Sequence, residues 1–423
     1  MLQDLAKSAA DRGIRYFLIS FVDLFGVLRA KLAPASAIGQ MQRDGAAFAG
    51  FATHLDLTPA DPDMFAIPDP ASLIQMPWKP EIGWLAADLH LAGEPLEHAP
   101  RQVLKSQIAA AAASGYRMRT GVEAEFFVLR TDGLAVADEA DRQAKPCYDQ
   151  AALLRRYELI RAISDAMLEL GWAPYQSDHE DANGQFEMNW AYDDALVTAD
   201  RHVFFKFMVK ELAGQHGLRA TFMPKPFMHL TGNGCHAHVS LWNHGGDINL
   251  FHDPEGELGL SALAYHFLGG ILAHAEALSA LFTPTVNSFK RINAAPTVSG
   301  ATWSPNAISY GGNNRTYMVR IPEPGRFELR LMDVRPTRIC CRRACSPAVS
   351  MGSNTSAIPA GDSTSICTSR PPLRPASPGC RSTCWTPCAP LPARRYCVRR
   401  WAPPLSTPTS NCVWPSGTTT RDI

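Results

Sequence analysis

The chain has 423 residues, of which 46% are hydrophobic and 19% are charged. This composition is typical of a globular protein large enough for two domains, and it excludes a fibrous or low-complexity chain. The formal net charge of zero hides an uneven distribution. Residues 332–423 contain 12 Arg and 3 Asp with no Lys or Glu, so their net charge of +9 is offset by −9 in the rest.

The cysteines divide at the same point, because nine of the eleven lie beyond residue 331. The two others, Cys147 and Cys235, are far apart, which suits a reducing cytoplasm. The N-terminus has charges in every turn, and no run of 18 apolar residues occurs anywhere, so we expect neither secretion nor membrane insertion. The acidic body also argues against a nucleic-acid partner.

Residues 1–98 predict a small α+β domain, with a first helix, the strand "RYFLISFVD" and a turn-rich segment. The Pro and Gly content of "AGEPLEHAP" indicates a linker to a second domain at 99–331. This domain opens with a helix near Arg101 and a strand, "GVEAEFFVL". Apolar residues at spacings of one, three and four then predict one long amphipathic helix between Leu153 and Leu170.

Four stretches alternate polar and apolar residues, which predicts strands with two unlike faces. They are "GVEAEFFVL", "QFEMNW", "CHAHVSLW" and "RFELRL". If these strands share one sheet, one face carries a high density of carboxylates, imidazoles and guanidiniums. The polar residues of that face are Glu123, Glu125, Glu187, Asn189, His236, His238, Ser240, Arg326, Glu328 and Arg330.

The carboxylates, together with Glu180, indicate a metal site, because clustered acids repel one another unless a cation lies among them. Oxygen-rich sites favour Mg²⁺ or Mn²⁺. A cupin would need a glutamate soon after His238, and a zinc site would need nearby thiolates; both are missing. We interpret one histidine as a metal or substrate ligand and the other as a phosphate contact, with a structural role as the alternative for either.

Four arginines follow within "NNRTYMVRIPEPGRFELR", namely Arg315, Arg320, Arg326 and Arg330. Arginine binds carboxylate and phosphate groups through two parallel hydrogen bonds. Divalent cations beside arginines are the arrangement that phosphoryl transfer requires. The chain has no Walker A motif, so a P-loop enzyme is excluded.

The motifs resemble those of the glutamine synthetase family, in the family's order, over about residues 15–331. They include "GVEAEFFV", "NGQFEMN", "ATFMPKPF", "TGNGCHAHVSLW", "PTVNSFKRI", "GGNNRTYMVRIP" and "RFELRL". The most similar branch holds type III-like glutamine synthetases and γ-glutamylmethylamide synthetases. The resemblance implies an α+β fold, with a small β-grasp-like N-terminal domain and a catalytic domain built on a curved antiparallel sheet with surrounding helices. It also implies a ring-type homo-oligomer.

The resemblance further implies that ATP phosphorylates glutamate and that ammonia or a small amine attacks the resulting γ-glutamyl phosphate. One metal would be held by Glu123, Glu180 and Glu187, and another by Glu125, His236 and Glu328. Glutamate would contact Gly232, Arg291 and Arg330, beside Glu125 and His236. ATP would contact His238, Ser240, Arg320 and Arg326. The catalytic residues would be Arg315, Arg330 and Glu328.

Two departures from the family concern the amine. Ala49 stands where the main branch has an aspartate that binds ammonium. That branch also has a flap glutamate shortly after the arginine that matches Arg291, but no acidic residue lies between Arg291 and Glu323 here. Because a desolvated cation needs a compensating charge, we hypothesise an alkylamine substrate such as methylamine. A non-catalytic protein of the same fold remains the alternative.

After Leu331 the chain becomes rich in Arg, Pro, Ser, Thr and Cys without amphipathic period. If each codon from Pro336 to Cys341 is read from its third base, the triplets can encode Asn-Pro-Tyr-Leu-Leu, the motif that follows this strand in the family. We therefore interpret residues 332–423 as frame-shifted and disordered, and the product as unstable or inactive. A disulfide or zinc module is the alternative, but the spacing lacks a repeated Cys-x-x-Cys framework and nine is odd.

Overall fold

The computed structural model describes residues 4–333. The interpretation of residues 332–423 therefore lies outside the described residues, apart from Met332 and Asp333. Within residues 4–333 no helix combines the length and apolarity that a membrane crossing requires.

The N-terminal unit is a seven-stranded sheet with two short helices. Its elements are α1 (Leu5–Arg12), β1 (Tyr16–Val22), β2 (Leu28–Pro34), α2 (Ile38–Asp44), β3 (Ala46–Phe48), β4 (Met64–Pro68), β5 (Ile74–Met76), β6 (Lys79–Leu91) and β7 (Glu94–Pro95). The main path is β2-β1-β6-β4-β3, in which β1 and β6 are parallel. Asp4 caps α1 by accepting hydrogen bonds from two backbone N–H groups, and Gly13 ends it with a left-handed conformation.

The second unit surrounds a nine-stranded sheet with helices. Its elements are α3 (Pro100–Ala113), β8 (Tyr116–Leu129), α4 (Gln150–Arg155), α5 (Tyr157–Glu169), β9 (Pro174–His179), β10 (Gln185–Trp190), β11 (Asp193–Asp194), α6 (Ala195–Gln215), β12 (Arg219–Thr221), β13 (Cys235–Asn243), α7 (Ala262–Ala273), α8 (Ala275–Phe282), α9 (Val286–Ile292), β14 (Tyr310–Gly311), β15 (Val319–Arg320) and β16 (Phe327–Leu329). The path is β14-β15-β16-β13-β8-β10-β9, and only the β14–β15 pair along it is parallel.

One hydrophobic cluster joins the two units. Trp84 on β6 packs against Phe204 on α6, with ring centroids 5.4 Å apart, and Val22 and Met76 join the same buried cluster. The apolar faces of β8 and β10 form the other side of this cluster. The sheet therefore turns its polar face away from the core, toward the candidate site.

Two local predictions differ from the structure. The long helix predicted between Leu153 and Leu170 is two helices, because Arg156 leaves helical geometry at φ −111° and ψ 12°. The predicted linker is partly ordered as β7, which pairs with the end of β6. The boundary near residue 98 stays a prediction, although α3 begins just beyond it.

Candidate active site

Strand register brings the predicted polar residues together on one sheet face. Glu123 lies directly opposite His236, and Glu125 lies opposite Glu187. His238 lies opposite Glu328 on the other neighbour of β13. Residues that oppose each other in an antiparallel pair project to the same face, so the predicted polar face is present.

Glu123 lies close to both histidines of β13, His236 and His238. His238 Nε2 is 2.8 Å from Glu123 Oε1, and His236 Nδ1 is 3.5 Å from Glu123 Oε2. His236 Nδ1 is also 3.6 Å from Glu328 Oε1. Burial alone would raise the pKa of Glu123, but the two imidazoles outweigh it and hold that pKa well below its ordinary value.

A second group of carboxylates forms no ion pair with a cationic side chain in the part of the chain that the structure describes. Asp178, Glu180 and Glu187 each offer an oxygen, and these atoms lie within 4.8 Å of one another. Burial, followed by the charge of Glu125, raises the pKa of Glu180 to about 8. Burial and the Glu123 charge raise the pKa of Glu187 well above its ordinary value. Acids packed this closely retain a proton unless a cation lies among them, so the donor set fits a hard divalent ion.

The grouping of these ligands differs from the one expected. Glu123, rather than Glu125, lies beside His236 and Glu328. Glu125 instead accepts hydrogen bonds from Gly234 N at 2.8 Å and from Gln185 Nε2 at 3.1 Å. The difference arises because alternation identifies a face, whereas only the strand register decides which residues on that face are neighbours.

Glu328 is fully buried and joins the metal ligands to the arginines. Arg320 Nη1 donates to Glu328 Oε2 at 2.7 Å, and Arg330 Nη1 donates to Oε1. Burial raises the pKa of Glu328, but His236 and Arg330 outweigh it and the net pKa is lowered. Arg291 is also buried, and it donates to the backbone carbonyl of Leu331 at 3.2 Å.

The glycine-rich segment 231–234 approaches these groups closely. A Cβ on Gly234 would lie 2.8 Å from Arg291 Nη2 and 2.9 Å from both Glu125 Oε1 and His236 Nε2. A Cβ on Gly232 would lie 2.3 Å from the backbone carbonyl oxygen of Pro224. Only glycine fits at either position without displacing the site.

Beside the carboxylates lies a cavity of about 440 Å³, lined among others by Glu123, Tyr175, His238, Ser240, Trp242 and Arg326. Arg326 Nη1 donates to His238 Nδ1 at 2.6 Å. Because a guanidinium only donates, His238 must carry its proton on Nε2, toward Glu123. The pair leaves His238 fixed between an arginine and a candidate metal ligand.

The structure adds Asp178 and Gln185 to the predicted site residues, and it places Arg315 away from the others. Asp178 lies opposite Glu187, and its pKa is raised by burial and by Glu123. Gln185 shares a face with Glu187, and this alternation was the signal that could have identified it. Arg315 is exposed and acts at longer range, where its charge opposes the rise in the pKa of Asp178.

Comparisons with known proteins identify the family. A family model described as "Glutamine synthetase, catalytic domain" matches residues 97–337. The glutamine synthetase of Rhizobium leguminosarum bv. phaseoli is 63% identical over 333 residues, covering 79% of this chain and 77% of the relative. The glutamate–methylamine ligase of Methyloversatilis universalis is 45% identical over 326 residues, covering 76% and 73%.

Among solved structures, a GmaS/ADP complex is 61% identical with a TM-score of 0.82, covering 85% of this chain and 83% of that chain. These matches confirm the predicted family, the fold class and the class of glutamate–amine ligases, whereas the role of each site residue stays a prediction. The chain belongs to the glutamine synthetase family.

Proposed function

We propose that this protein uses ATP to join ammonia or a small amine to the γ-carboxylate of glutamate. The observation that carries the proposal is a single site that holds both a carboxylate group without an ion-pair partner among residues 4–333 (Asp178, Glu180 and Glu187) and Glu328, which accepts hydrogen bonds from Arg320 and Arg330. Carboxylates of this kind suit divalent cations, and arginines suit the anionic groups of glutamate and phosphate.

We assign the two metal sites by strand register. One would use Glu123, His236 and Glu328, and the other would use Glu125, Glu180 and Glu187. This exchanges Glu123 and Glu125 relative to the expected grouping. Divalent ions bound there, Mg²⁺ or Mn²⁺, would neutralise phosphate charge during transfer.

The remaining polar residues suit the two anionic substrates. Arg291 and Arg330 would hold glutamate beside Gly232, where the backbone can approach closely. His238, Ser240 and Arg326 line the cavity that we assign to ATP. Arg320 would contact ATP beside Glu328, and Arg315 would reach the transferring phosphoryl group.

The reaction has two steps in this assignment. The glutamate γ-carboxylate attacks the γ-phosphorus of ATP and ADP leaves, which produces γ-glutamyl phosphate. The free amine then attacks the γ-carbonyl carbon, the C–O bond to phosphate breaks, and the amine loses a proton. Buried arginines favour both steps because they stabilise the negative charge that develops.

The identity of the amine is a separate proposal. Ala49 and the acid-free stretch from 292 to 322 leave no carboxylate at the two positions where the main branch binds ammonium. We propose methylamine or a similar alkylamine as a substrate. The relatives that match this chain include both glutamine synthetases and a glutamate–methylamine ligase. The reaction rates with ammonia and with methylamine, measured at equal free-amine concentration, therefore decide between the two amines. A strong preference for ammonia would contradict this proposal.

We propose that residues 332–423 are translated in the wrong frame. In the shifted frame, each codon begins on the third base of an original codon, so its second base is the first base of the next original codon. A codon whose second base is T encodes Leu, Ile, Val, Met or Phe. Every Cys codon of the original frame begins with T. The nine cysteines therefore become nine apolar residues, and the family model stops matching at residue 337.

We also propose a ring-type homo-oligomer located in the cytoplasm. Exposed apolar side chains on the N-terminal unit support self-association, since Phe25 and Phe51 are 53% and 60% exposed. Light scattering after size-exclusion chromatography measures the assembly directly, and a monodisperse monomer would contradict this proposal.

The function is tested by glutamate-dependent phosphate release from ATP in the presence of an amine. The 423-residue chain should be compared with a chain whose reading frame is restored at codon 331. We expect the frame-restored chain to form amide and the 423-residue chain to form little amide. No amide from either chain would favour the non-catalytic alternative.

A further inference from the structure

The segment between α9 and β14, residues 293–309, forms a loop without helix or paired strand apart from an isolated bridge residue at 307. Much of it is exposed, including Val298 at 58% and Trp303 at 40%. The loop nevertheless reaches the site, because Arg330 Nη2 donates to the Trp303 carbonyl oxygen at 3.3 Å. It therefore lies next to the arginine that we assign to glutamate.

One buried side chain anchors this exposed loop. Ser299 is 9% exposed, and its Oγ donates to Asp181 Oδ2. Asp181 is itself buried and directly follows Glu180, whose Oε2 accepts from the Asp181 backbone N–H at 3.1 Å. The anchor thus connects the loop to the segment that carries a candidate metal ligand.

The same carboxylate holds the glycine-rich segment. Thr231 Oγ1 donates to Asp181 Oδ2 at 2.8 Å. Thr297 Oγ1 lies 3.2 Å from both Thr231 Oγ1 and Ser299 Oγ, so it connects the two hydroxyl groups that donate to Asp181. Asp181 therefore joins the metal-ligand segment, the glycine-rich segment and the loop.

The loop cannot supply this acceptor itself, since residues 292–322 contain no acidic side chain. We propose that Asp181 is a positioning residue that holds loop 293–309 closed over the acyl-phosphate site through Ser299. The proposal rests on the proposed function. A closed loop excludes water, which would otherwise attack the γ-carbonyl carbon of γ-glutamyl phosphate, release phosphate and regenerate glutamate.

The test introduces Asp181→Asn and Ser299→Ala separately into the frame-restored chain and compares each variant with that chain. Ser304→Ala is the matched control, because it removes a hydroxyl of the same loop whose oxygen has no hydrogen-bond partner among the described residues. The first readout is the ratio of phosphate released to amide formed. Loss of one charge-assisted hydrogen bond changes an opening equilibrium roughly tenfold, so we expect a severalfold higher ratio in both variants and no change in the control.

The second readout, hydrogen exchange of the backbone amides of residues 294–303, needs no turnover. We expect faster exchange in Asp181→Asn and Ser299→Ala, with unchanged exchange in β8 and β13. Unchanged loop exchange, or faster exchange with an unchanged phosphate-to-amide ratio, would overturn the proposal. Failure of the proposed function is distinguishable, because the chain would then release no glutamate-dependent phosphate while loop exchange still reports on the anchor.

Discussion

Two groups of buried and half-buried charged residues within residues 4–333 are balanced differently. At the junction of the two units, Arg101 contacts three carboxylates, with Asp69 at 2.7 Å and Asp200 at 2.9 Å, and Asp88 is shared with Lys105. On the sheet face, oxygen atoms of Asp178, Glu180 and Glu187 lie within 4.8 Å of one another, and no cationic side chain among residues 4–333 forms an ion pair with them. The carboxylates of the junction group are neutralised by Arg101 and Lys105, whereas those of the sheet face require a bound cation.

The titration of the two groups follows this difference. In the junction group burial raises the pKa of Asp88, but Arg101 and Lys105 outweigh it and the net pKa is lowered. Asp200 is the exception, since complete burial raises its pKa despite the Arg101 contact. On the sheet face the pKa values of Glu180 and Glu187 are both raised. Balanced groups stabilise the fold, whereas unbalanced ones mark a binding site.

The largest effect is expected from Glu328→Ala. This change removes the acceptor of Arg320 and Arg330 and a candidate metal ligand at the same time. We expect glutamate-dependent phosphate release by the frame-restored chain to fall about 10²–10³-fold, the scale for losing a central electrostatic group. Glu255→Ala, at an exposed glutamate, is the matched control; equal activity of both variants would contradict the assigned role.

Removal of the junction cation should affect stability rather than metal binding. Arg101→Ala leaves three carboxylates without their main partner, so we expect a loss of about 3–5 kcal/mol in the free energy of unfolding. Urea denaturation measures the loss, and Mn²⁺ affinity of the folded variant should stay unchanged. A loss below about 1 kcal/mol would mean that the group contributes no more than an exposed ion pair.

The two groups should also respond oppositely to pH. Glu180 has a folded pKa of about 8 against an ordinary value of 4.5, so its stabilising contribution is complete below 4.5 and lost as pH rises through 8. Asp88 has a lowered folded pKa, so its contribution is present above its ordinary value of 3.8 and lost at lower pH. In chelator we expect the urea midpoint to fall between about pH 4.5 and pH 8, the interval between the ordinary and the folded pKa of Glu180. The fall should be smaller in Glu180→Gln and after Mg²⁺ addition; an equal fall in all three samples would contradict this account.

The smallest effect is expected from Asp178→Asn. Asp178 lies at the edge of the carboxylate group and is half-buried, so it contributes charge more than direct coordination. We expect Mn²⁺ affinity to fall by less than about tenfold, the lower end of the range for groups that support metal ligands. Exposed Asp165→Asn is the control, and an affinity loss equal to that of Glu187→Gln would instead make Asp178 a primary ligand.

The sequence predicted the polar sheet face because polar and apolar residues alternate within each strand, and this pattern can be recognised in one strand at a time. It did not predict which ligands are neighbours, since register depends on contacts between strands that are far apart in the chain. Asp178 was missed for the same reason, as its role follows from lying opposite Glu187. The anchor formed by Asp181 and Ser299 joins residues 118 positions apart and has no periodic signal.

The central claim is that the unbalanced carboxylates bind divalent cations. Isothermal titration of the frame-restored chain with Mn²⁺ tests it most directly, with Glu187→Gln as the comparison variant. The account predicts two saturable sites per chain and loss of one of them in the variant. Absence of saturable binding, or identical binding by both proteins, would contradict it.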